Sequence, residues 1–562
     1  MKNQNNEQSQ HWLDQLVDEI LLWQNQEGIK KLHVDDMKTP SGRVHTGALR
    51  GVLLHDFVAK VLREHLSKLK QPALLNNLAN TYVFNDMDPM DSLPKYLEEK
   101  NYSQHMGKPL YQIPAPALAE CGIDLSKISD QEKADLAAAK NFAEFYAKDF
   151  IHAFRKLGCS QEIIWSHELY ESGRMDELIR LSLDNVDKFR KIYKEVANYD
   201  LPDHWYPFQV ICPHCGKIGT TLVTDWDGKE VTFICREHGV KWAEGCGHQG
   251  KISPFAGNGK LLWKVDWPAH WSTLGVSIEG AGKDHTSAGG SRDMAEAICR
   301  EVFNLPIPFN IPYEWILIRG NKMSSSKGVG TSAREFTTLF PANVGRFLFL
   351  NKHYSQVIDF DPNTTAIPDL FDSYDQAARI YWGQEAGDQR LARAFVLAQI
   401  EEIPEPHFLA RFRDLALWVQ YPEKNVIEEA AKVKGSALND LEISVINERL
   451  SYVELWLSKY APEEFQWRAK KDLPAAAQQL TQEQKTFLTE LEKLIQSQNW
   501  QAPDLQQAIF DLAKASLGTK QGFAAIYLAF LGKKAGPKAA WFLLNIDPQL
   551  RQERIEAINQ LK

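Results

Sequence analysis

The stretch Lys30–Lys70, KKLHVDDMKTPSGRVHTGALRGVLLHDFVAKVLREHLSKLK, decides the fold. Lys30 to Asp35 reads as a short buried strand. Asp36 to Val44 reads as a loop broken by Pro40 and Gly42. Thr46 to Lys70 reads as a long helix, because Leu49, Leu53, Phe57 and Val61 recur every fourth residue and form one apolar stripe. Pro72 stops it. A strand, a glycine-containing loop and a helix in this order open a doubly wound α/β domain.

Working outward, Thr81 to Phe84 is expected as a second strand. Asp130 to Leu157 and Met175 to Ala197 have helical periodicity, and Glu162 to Ser166 is strand-like. Asp227-Gly228 predicts a hairpin between Thr220–Trp226 and Glu230–Ile234. Leu261 to Trp267 and Trp315 to Arg319 are expected as strands of the first domain, resumed after an insertion. Beyond Thr331 strands fade. Residues 366–562 read as helices with breaks at Pro404, Pro406, Pro462 and Pro503. Trp418, Trp456, Trp467 and Trp541 suit a helical core or base-stacking positions. Lys533, Lys534 and Lys538 suit a phosphate contact or a solvated helix end.

At 562 residues the chain exceeds one core, and three or more domains are expected. Hydrophobic content of 44% and charged content of 24% belong to an ordinary globular protein. No apolar run reaches the roughly 18 residues of a membrane span. The polar N-terminus has no secretory pattern, so a cytoplasmic location without membrane association is expected. A net charge of -9 argues against nonspecific coating of nucleic acid, although a local basic surface remains compatible with it.

Two loops carry phosphate chemistry. Pro40-Ser41-Gly42-Arg43-Val44-His45-Thr46-Gly47 precedes the first helix, whose N-terminus offers unpaired N–H groups and a positive dipole end. Gly42 and Gly47 admit close backbone approach, and His45 can donate to a phosphate oxygen as its charge grows. Lys322-Met323-Ser324-Ser325-Ser326-Lys327-Gly328 sets two ammonium groups five residues apart on a serine-rich loop. These can neutralise a pyrophosphate leaving group. In this order the loops suggest cleavage of ATP between its α- and β-phosphates.

Of seven cysteines, four cluster. Cys212-Pro213-His214-Cys215-Gly216 is a tight knuckle, and Cys235 and Cys246-Gly247 follow. Four thiolates suit a closed, structural Zn²⁺ site, with His238 as a competing ligand to Cys246.

His45-Thr46-Gly47-Ala48 and Lys322–Lys327 together resemble the two signature elements of class I aminoacyl-tRNA synthetases. Ala48 stands where that family has His or Asn. Within the class, the pattern is most similar to the class I lysyl-tRNA synthetases. Thr39-Pro40-Ser41-Gly42 ahead of His45 and Gly47 carries the likeness. So do Ser253-Pro254-Phe255 with Leu262–Trp267, and Gly282-Lys283-Asp284-His285 with Ala288–Ser291. Pro312–Trp315, Arg346–Phe349, Tyr527–Gly532 and Gly536-Pro537 extend it over nearly the whole chain. Asp35-Asp36-Met37-Lys38 departs from it, since the family has small residues there.

The resemblance implies a Rossmann-like, doubly wound parallel-sheet catalytic domain, an inserted zinc-ribbon-containing α+β domain and an all-α C-terminal domain. The implied boundaries are 1–89 and 254–335 for the catalytic halves, with the lysine loop in the second. The insertion covers 90–253 with its ribbon at 206–250, a stem-contact region covers 336–380, and a helical anticodon-binding domain covers 381–562. The implied reaction joins L-lysine to ATP as lysyl-adenylate with release of pyrophosphate. Lysine then passes to the 3′-terminal adenosine of tRNA(Lys), through the 2′-hydroxyl.

Implied catalytic residues are His45, Lys322 and Lys327, acting with Mg²⁺. Implied ATP contacts are Pro40, Ser41, Gly42, His45, Gly47, Ala48, Gly282, Asp284 and Lys322 to Lys327, including Met323, Ser324, Ser325 and Ser326. Implied lysine contacts are Thr39, Trp263, Asp266, Asp284 and His285. A monomer is expected. The rival readings are a class I synthetase for glutamate, glutamine, cysteine or arginine, a small nucleotidyltransferase, and a non-enzymatic zinc-ribbon nucleic-acid-binding protein.

Overall fold

The computed structural model describes residues 10–320, 331–421, 424–465, 469–470 and 472–561. Lys322 to Lys327 and Trp467 lie outside the described residues. The chain divides into two compact units, Met1–Phe360 with Ala386–Ile403, and Asp361–Glu385 with Pro404–Lys562.

The first unit is built on a five-stranded parallel sheet. Its strands are β1 (His33–Lys38), β2 (Ala79–Phe84), β3 (Glu162–Trp165), β4 (Ile278–Gly282) and β5 (Phe309–Tyr313), in the order β5-β4-β1-β2-β3. The chain runs outward from β1 through β2 to β3, then resumes on the other side of β1. That reversal opens a crevice at the carboxyl ends of β1 and β4. The two strands share one register pair, Val34 opposite Ile278, so they part beyond it.

Helix α1 (Leu49–Lys68) covers the sheet and is preceded by a single 3₁₀ turn, Thr46–Ala48. The expected stripe of Leu49, Leu53, Phe57 and Val61 is buried, with Val52, Val58, Leu62 and Leu66 beside it. His55 fixes the helix to β4. Its Nδ1 donates to the Gly51 carbonyl at 2.7 Å, and its Nε2 accepts from the Gly280 N–H at 2.7 Å. Burial lowers the imidazole pKa and favours the neutral tautomer these bonds require.

Several expectations are corrected. Leu261 to Trp267 alternates like a strand, but Trp263–Leu274 is a helix, α2, closed by Gly275 in the left-handed region (φ 69°). Only Gly259–Leu261 is extended, and it pairs antiparallel with Phe208–Val210. Trp315 to Arg319 yields a two-residue strand, Ile316–Leu317, paired with Ile358–Asp359 outside the main sheet. The resumed strands are β4 and β5. Glycines and an acid hide β4, and Pro312 interrupts the pattern of β5. β3 falls inside the range read as an insertion, yet it forms the edge of the main sheet. The helix expected over Asp130–Leu157 is two, Asp130–Ala137 and Phe142–Lys156, each with its own side-chain N-cap, Ser129 and Asn141. The hairpin forms as read, Thr221–Trp226 against Val231–Cys235, with Gly228 at φ 91°.

The second unit is helical. Ala366–Tyr381, Asp440–Lys459, Gln482–Gln496, Ala502–Ser516, Thr519–Phe530 and Pro548–Gln560 are its main helices. Trp418 and Trp456 are buried core residues. Buried ion pairs join Arg449 to Asp375 at 2.5 Å and Arg551 to Glu492 at 2.7 Å. Among the described residues no helix is long and apolar enough to cross a membrane.

Candidate active site

A cleft of 510 Å³ opens at the carboxyl end of the sheet. Strand β1 and the following loop supply Asp36, Met37, Lys38, Thr39, Ser41, His45, Gly47 and Ala48. Helix α2, β4 and its exit supply Trp263, Asp266, Trp267, Glu279, Gly282, Asp284 and His285. Tyr313 and Trp315 complete the wall. The cleft thus gathers Thr39, Ser41, His45, Gly47, Ala48, Trp263, Asp266, Gly282, Asp284 and His285 from the sequence-derived set. Pro40 and Gly42 are buried behind the loop instead. Gly42 has φ 144°, and a Cβ there would stand 2.8 Å from the Tyr96 hydroxyl, so the loop needs glycine to pack.

The first loop is stitched to the residues that follow the lysine loop. His45 forms an antiparallel bridge with Ser332. The Thr46 N–H donates to the Thr331 carbonyl at 3.1 Å and its hydroxyl donates there at 2.7 Å. The Ala333 N–H donates to Val44 at 2.9 Å, and Arg43 pairs with Glu335 at 3.4 Å.

The opposite wall is an aromatic box. Trp263 and Trp267 meet His285 edge-on, at centroid distances of 6.2 and 5.8 Å. Met37 packs against the cluster holding Trp267 and Trp271. Glu279 lies at its base, 2% exposed, accepting from the Trp267 Nε1 at 3.0 Å and from the Trp271 Nε1. Burial pushes its carboxyl up to about 7 against the pull of Arg292 and the two indoles. Asp36, on the α1 face of β1, is likewise pushed up by burial to about 7. Asp35 beneath is raised well above the carboxylate range by burial and by Glu279, and its Oδ2 has no hydrogen-bond partner among the described residues. Glycine is required beside Asp36, since a Cβ on Gly51 would sit 2.6 Å from the Asp36 Oδ2.

Asp266 lines the cleft, but its carboxylate is occupied. It accepts from Lys260 at 2.9 Å and from the Tyr170 hydroxyl, with His270 at 3.4 Å. Burial alone would raise its pKa, but His270 and Lys260 outweigh burial and hold it down. Lys260 also pairs with Asp88 at 2.6 Å, and Asp88 accepts from the Thr39 hydroxyl. This buried chain ties the first loop to α2. Asp284 does not cap a helix, because the next one starts at Ser291 behind Gly290.

Sequence reasoning noted Asp36 and Lys38 only as part of a departure in the pocket wall, without a role, and missed Glu279, Tyr313 and Trp315 in the cleft. Charged residues closing an otherwise buried strand, and a lone acid in Leu274-Gly275-Val276-Ser277-Ile278-Glu279-Gly280, were the available signals.

Away from the cleft, the Sγ atoms of Cys212, Cys215, Cys235 and Cys246 all lie within 4.8 Å of one another. The Cys212–Cys246 and Cys215–Cys235 distances are 3.7 and 3.6 Å. Corners of a zinc tetrahedron with bonds of about 2.3 Å stand roughly 3.8 Å apart, so the four thiols fit that ion. Gly216 and Gly247 turn the two knuckles with φ of 75° and 74°. His238 is exposed and outside this set.

A strand–loop–helix unit and a crevice at the strand reversal give the first unit the doubly wound α/β fold. A family model described as tRNA synthetases class I (K) matches residues 10–401, and the chain belongs to that family. A lysine–tRNA ligase of Methanosarcina barkeri (strain Fusaro) is 32% identical over 97% of this chain and 97% of its own length. That of Methanosphaera stadtmanae is 29% identical over 96% of this chain and 98% of its own.

Proposed function

We propose that this enzyme is a lysine–tRNA ligase that forms lysyl-adenylate from L-lysine and ATP and transfers lysine to the terminal adenosine of tRNA(Lys). The observation that carries the lysine assignment is the box of Trp263, Trp267 and His285 over the buried Glu279. Aromatic faces suit the methylenes of a lysine side chain, and a carboxylate suits its ammonium. With Asp266 held by Lys260, Glu279 and Asp36 are the acids assigned to the substrate charge. Asp266 instead positions the Lys260–Asp88–Thr39 chain. A glutamate pocket would need the opposite charge at its base, which disfavours that rival.

Activation is in-line attack of the amino-acid carboxylate on the α-phosphate. Most of the catalysis is positioning and charge stabilisation. His45 and the N-terminal turn of α1 serve the α-phosphate. Ser41, Gly47, Gly282 and Asp284 hold the nucleotide. Lys322 and Lys327 serve the β,γ-phosphates, and Lys327 is four residues from Thr331, which is bonded to Thr46. Mg²⁺ carried by the triphosphate adds neutralising charge there. The four cysteines hold a structural Zn²⁺, and the helical second unit reads the anticodon. We assign a monomer working in the cytoplasm.

Amino-acid-dependent exchange of pyrophosphate into ATP tests this reading. Lysine supports exchange; exchange with glutamate and none with lysine would overturn the assignment.

A further inference from the structure

Adjacent residues on β1 point to opposite faces of the sheet. Met37 joins the aromatic box on one face. Asp36 lies on the other, beside Gly51 and His55 of α1, and Lys38 follows it on that face. Lys38 is the last residue of the strand, half-buried, and lines the cleft with Ser41 and His45. Among the described residues its ammonium makes no ion pair and no hydrogen bond. The nearest influence of opposite sign is Asp36, two residues back, and burial lowers the lysine pKa despite it. Other buried cations of the first unit have partners: Lys260 pairs with Asp88 and Asp266, Arg346 with Asp56, and Arg50 donates to the carbonyls of His353, Tyr354 and Gln356. A partly desolvated ammonium without a counter-ion, at a strand end beside a helix N-terminus, calls for an anion brought by the substrate.

We infer that Lys38 is a further catalytic residue, whose ammonium contacts a non-bridging oxygen of the α-phosphate during adenylate formation. The inference rests on the reading that this cleft adenylates an amino acid. In the step, a substrate carboxylate oxygen bonds to the α-phosphorus, and the bond from that phosphorus to the α,β-bridging oxygen breaks. The electron pair leaves with pyrophosphate. Lys38 stays protonated throughout and supplies only charge. Its place at the strand end, on the α1 face and in the cleft wall with Ser41 and His45, puts it on the side assigned to the nucleotide.

The test is pyrophosphate exchange at saturating ATP by Lys38→Met, Lys38→Gln and Lys38→Arg in the full chain, with melting temperature and the KM for lysine measured alongside. Loss of one preorganised donor to a developing oxyanion lowers rates by about 10²-fold or more. The expected result is a kcat fall of that order in the Met and Gln variants, partial recovery with Arg, and an unchanged lysine KM and melting temperature. Wild-type kcat in Lys38→Met or Lys38→Gln overturns the inference. So does a raised lysine KM at unchanged kcat, which would mean that Lys38 serves only to balance Asp36. If wild type exchanges only with another amino acid, the lysine reading fails on its own, and the Lys38 comparison is made with that amino acid.

Discussion

The cleft has two walls made by different means. The wall from β1 to the start of α1 is loop and backbone: glycines, a helix N-terminus and His45, stitched at Thr46 to Thr331. The wall from α2 and β4 is side chains set in a core: two tryptophans on Glu279, and Asp266 locked to Lys260. In the proposed reaction the first would present donors to the phosphates of ATP, which are the same whichever amino acid is activated. On the proposed reading the second would select one side chain through its buried acids. On that reading common chemistry falls to backbone, and discrimination to packing.

Changes to the two walls should separate stability from rate and rate from affinity. The largest effect is expected for Lys260→Met, which takes the ammonium from half-buried Asp88 and leaves buried Asp266 with His270 and the Tyr170 hydroxyl alone. Breaking a buried pair on one side costs about 3–5 kcal/mol, so the denaturation midpoint should fall clearly, and an unchanged midpoint would remove the core-built account. Next is Lys327→Ala. Adenylate formation should slow by about 10²–10³-fold, as for loss of one transition-state donor, with little change in lysine binding by calorimetry. An equal activation rate would contradict the role.

Glu279→Gln should raise the KM for lysine by roughly ten-fold or more, the scale of a charge-assisted contact, while kcat changes less. Equal KM values would point to Asp36 instead. The smallest effect is a pH slope. Free Glu279 and Asp36 take up protons at about 7, and the substrate ammonium needs them ionised. Lysine affinity should therefore rise from pH 6 to 8 and flatten in Glu279→Gln. The free enzyme shows the opposite trend. Folding raises these pKa values, so the folded state binds more protons, and stability falls as pH climbs from the ordinary carboxylate range through 7. A flat affinity profile in the wild type would exclude both acids.

The loop-built wall was legible because its signals are local. Gly42, His45 and the four-residue repeat of α1 sit within one stretch, and each has a backbone reason. The cysteine set was legible in part for the same reason: Cys212 and Cys215 form one short knuckle, whereas the choice of Cys246 over His238 was settled by the fold. The core-built wall was hidden. Val265 and Trp267 alternate as in a strand but lie on a helix whose buried face runs from Val265 to Trp271. Glu279 sits in a glycine-rich strand without β-branched neighbours on both sides, and the partner of Asp266 is a lysine on a strand in another sheet. Such pairings are set by tertiary approach, which spacing does not encode.

The bonds between Thr46 and Thr331 also impose an order on synthesis. A nascent chain leaving the ribosome exposes the glycine loop early, yet its hydrogen-bonding partner is nearly three hundred residues away. Until Thr331 and Ser332 emerge, the segment bearing His45 lacks its crosspiece. The growing polypeptide therefore closes this loop only after more than half of it has been translated.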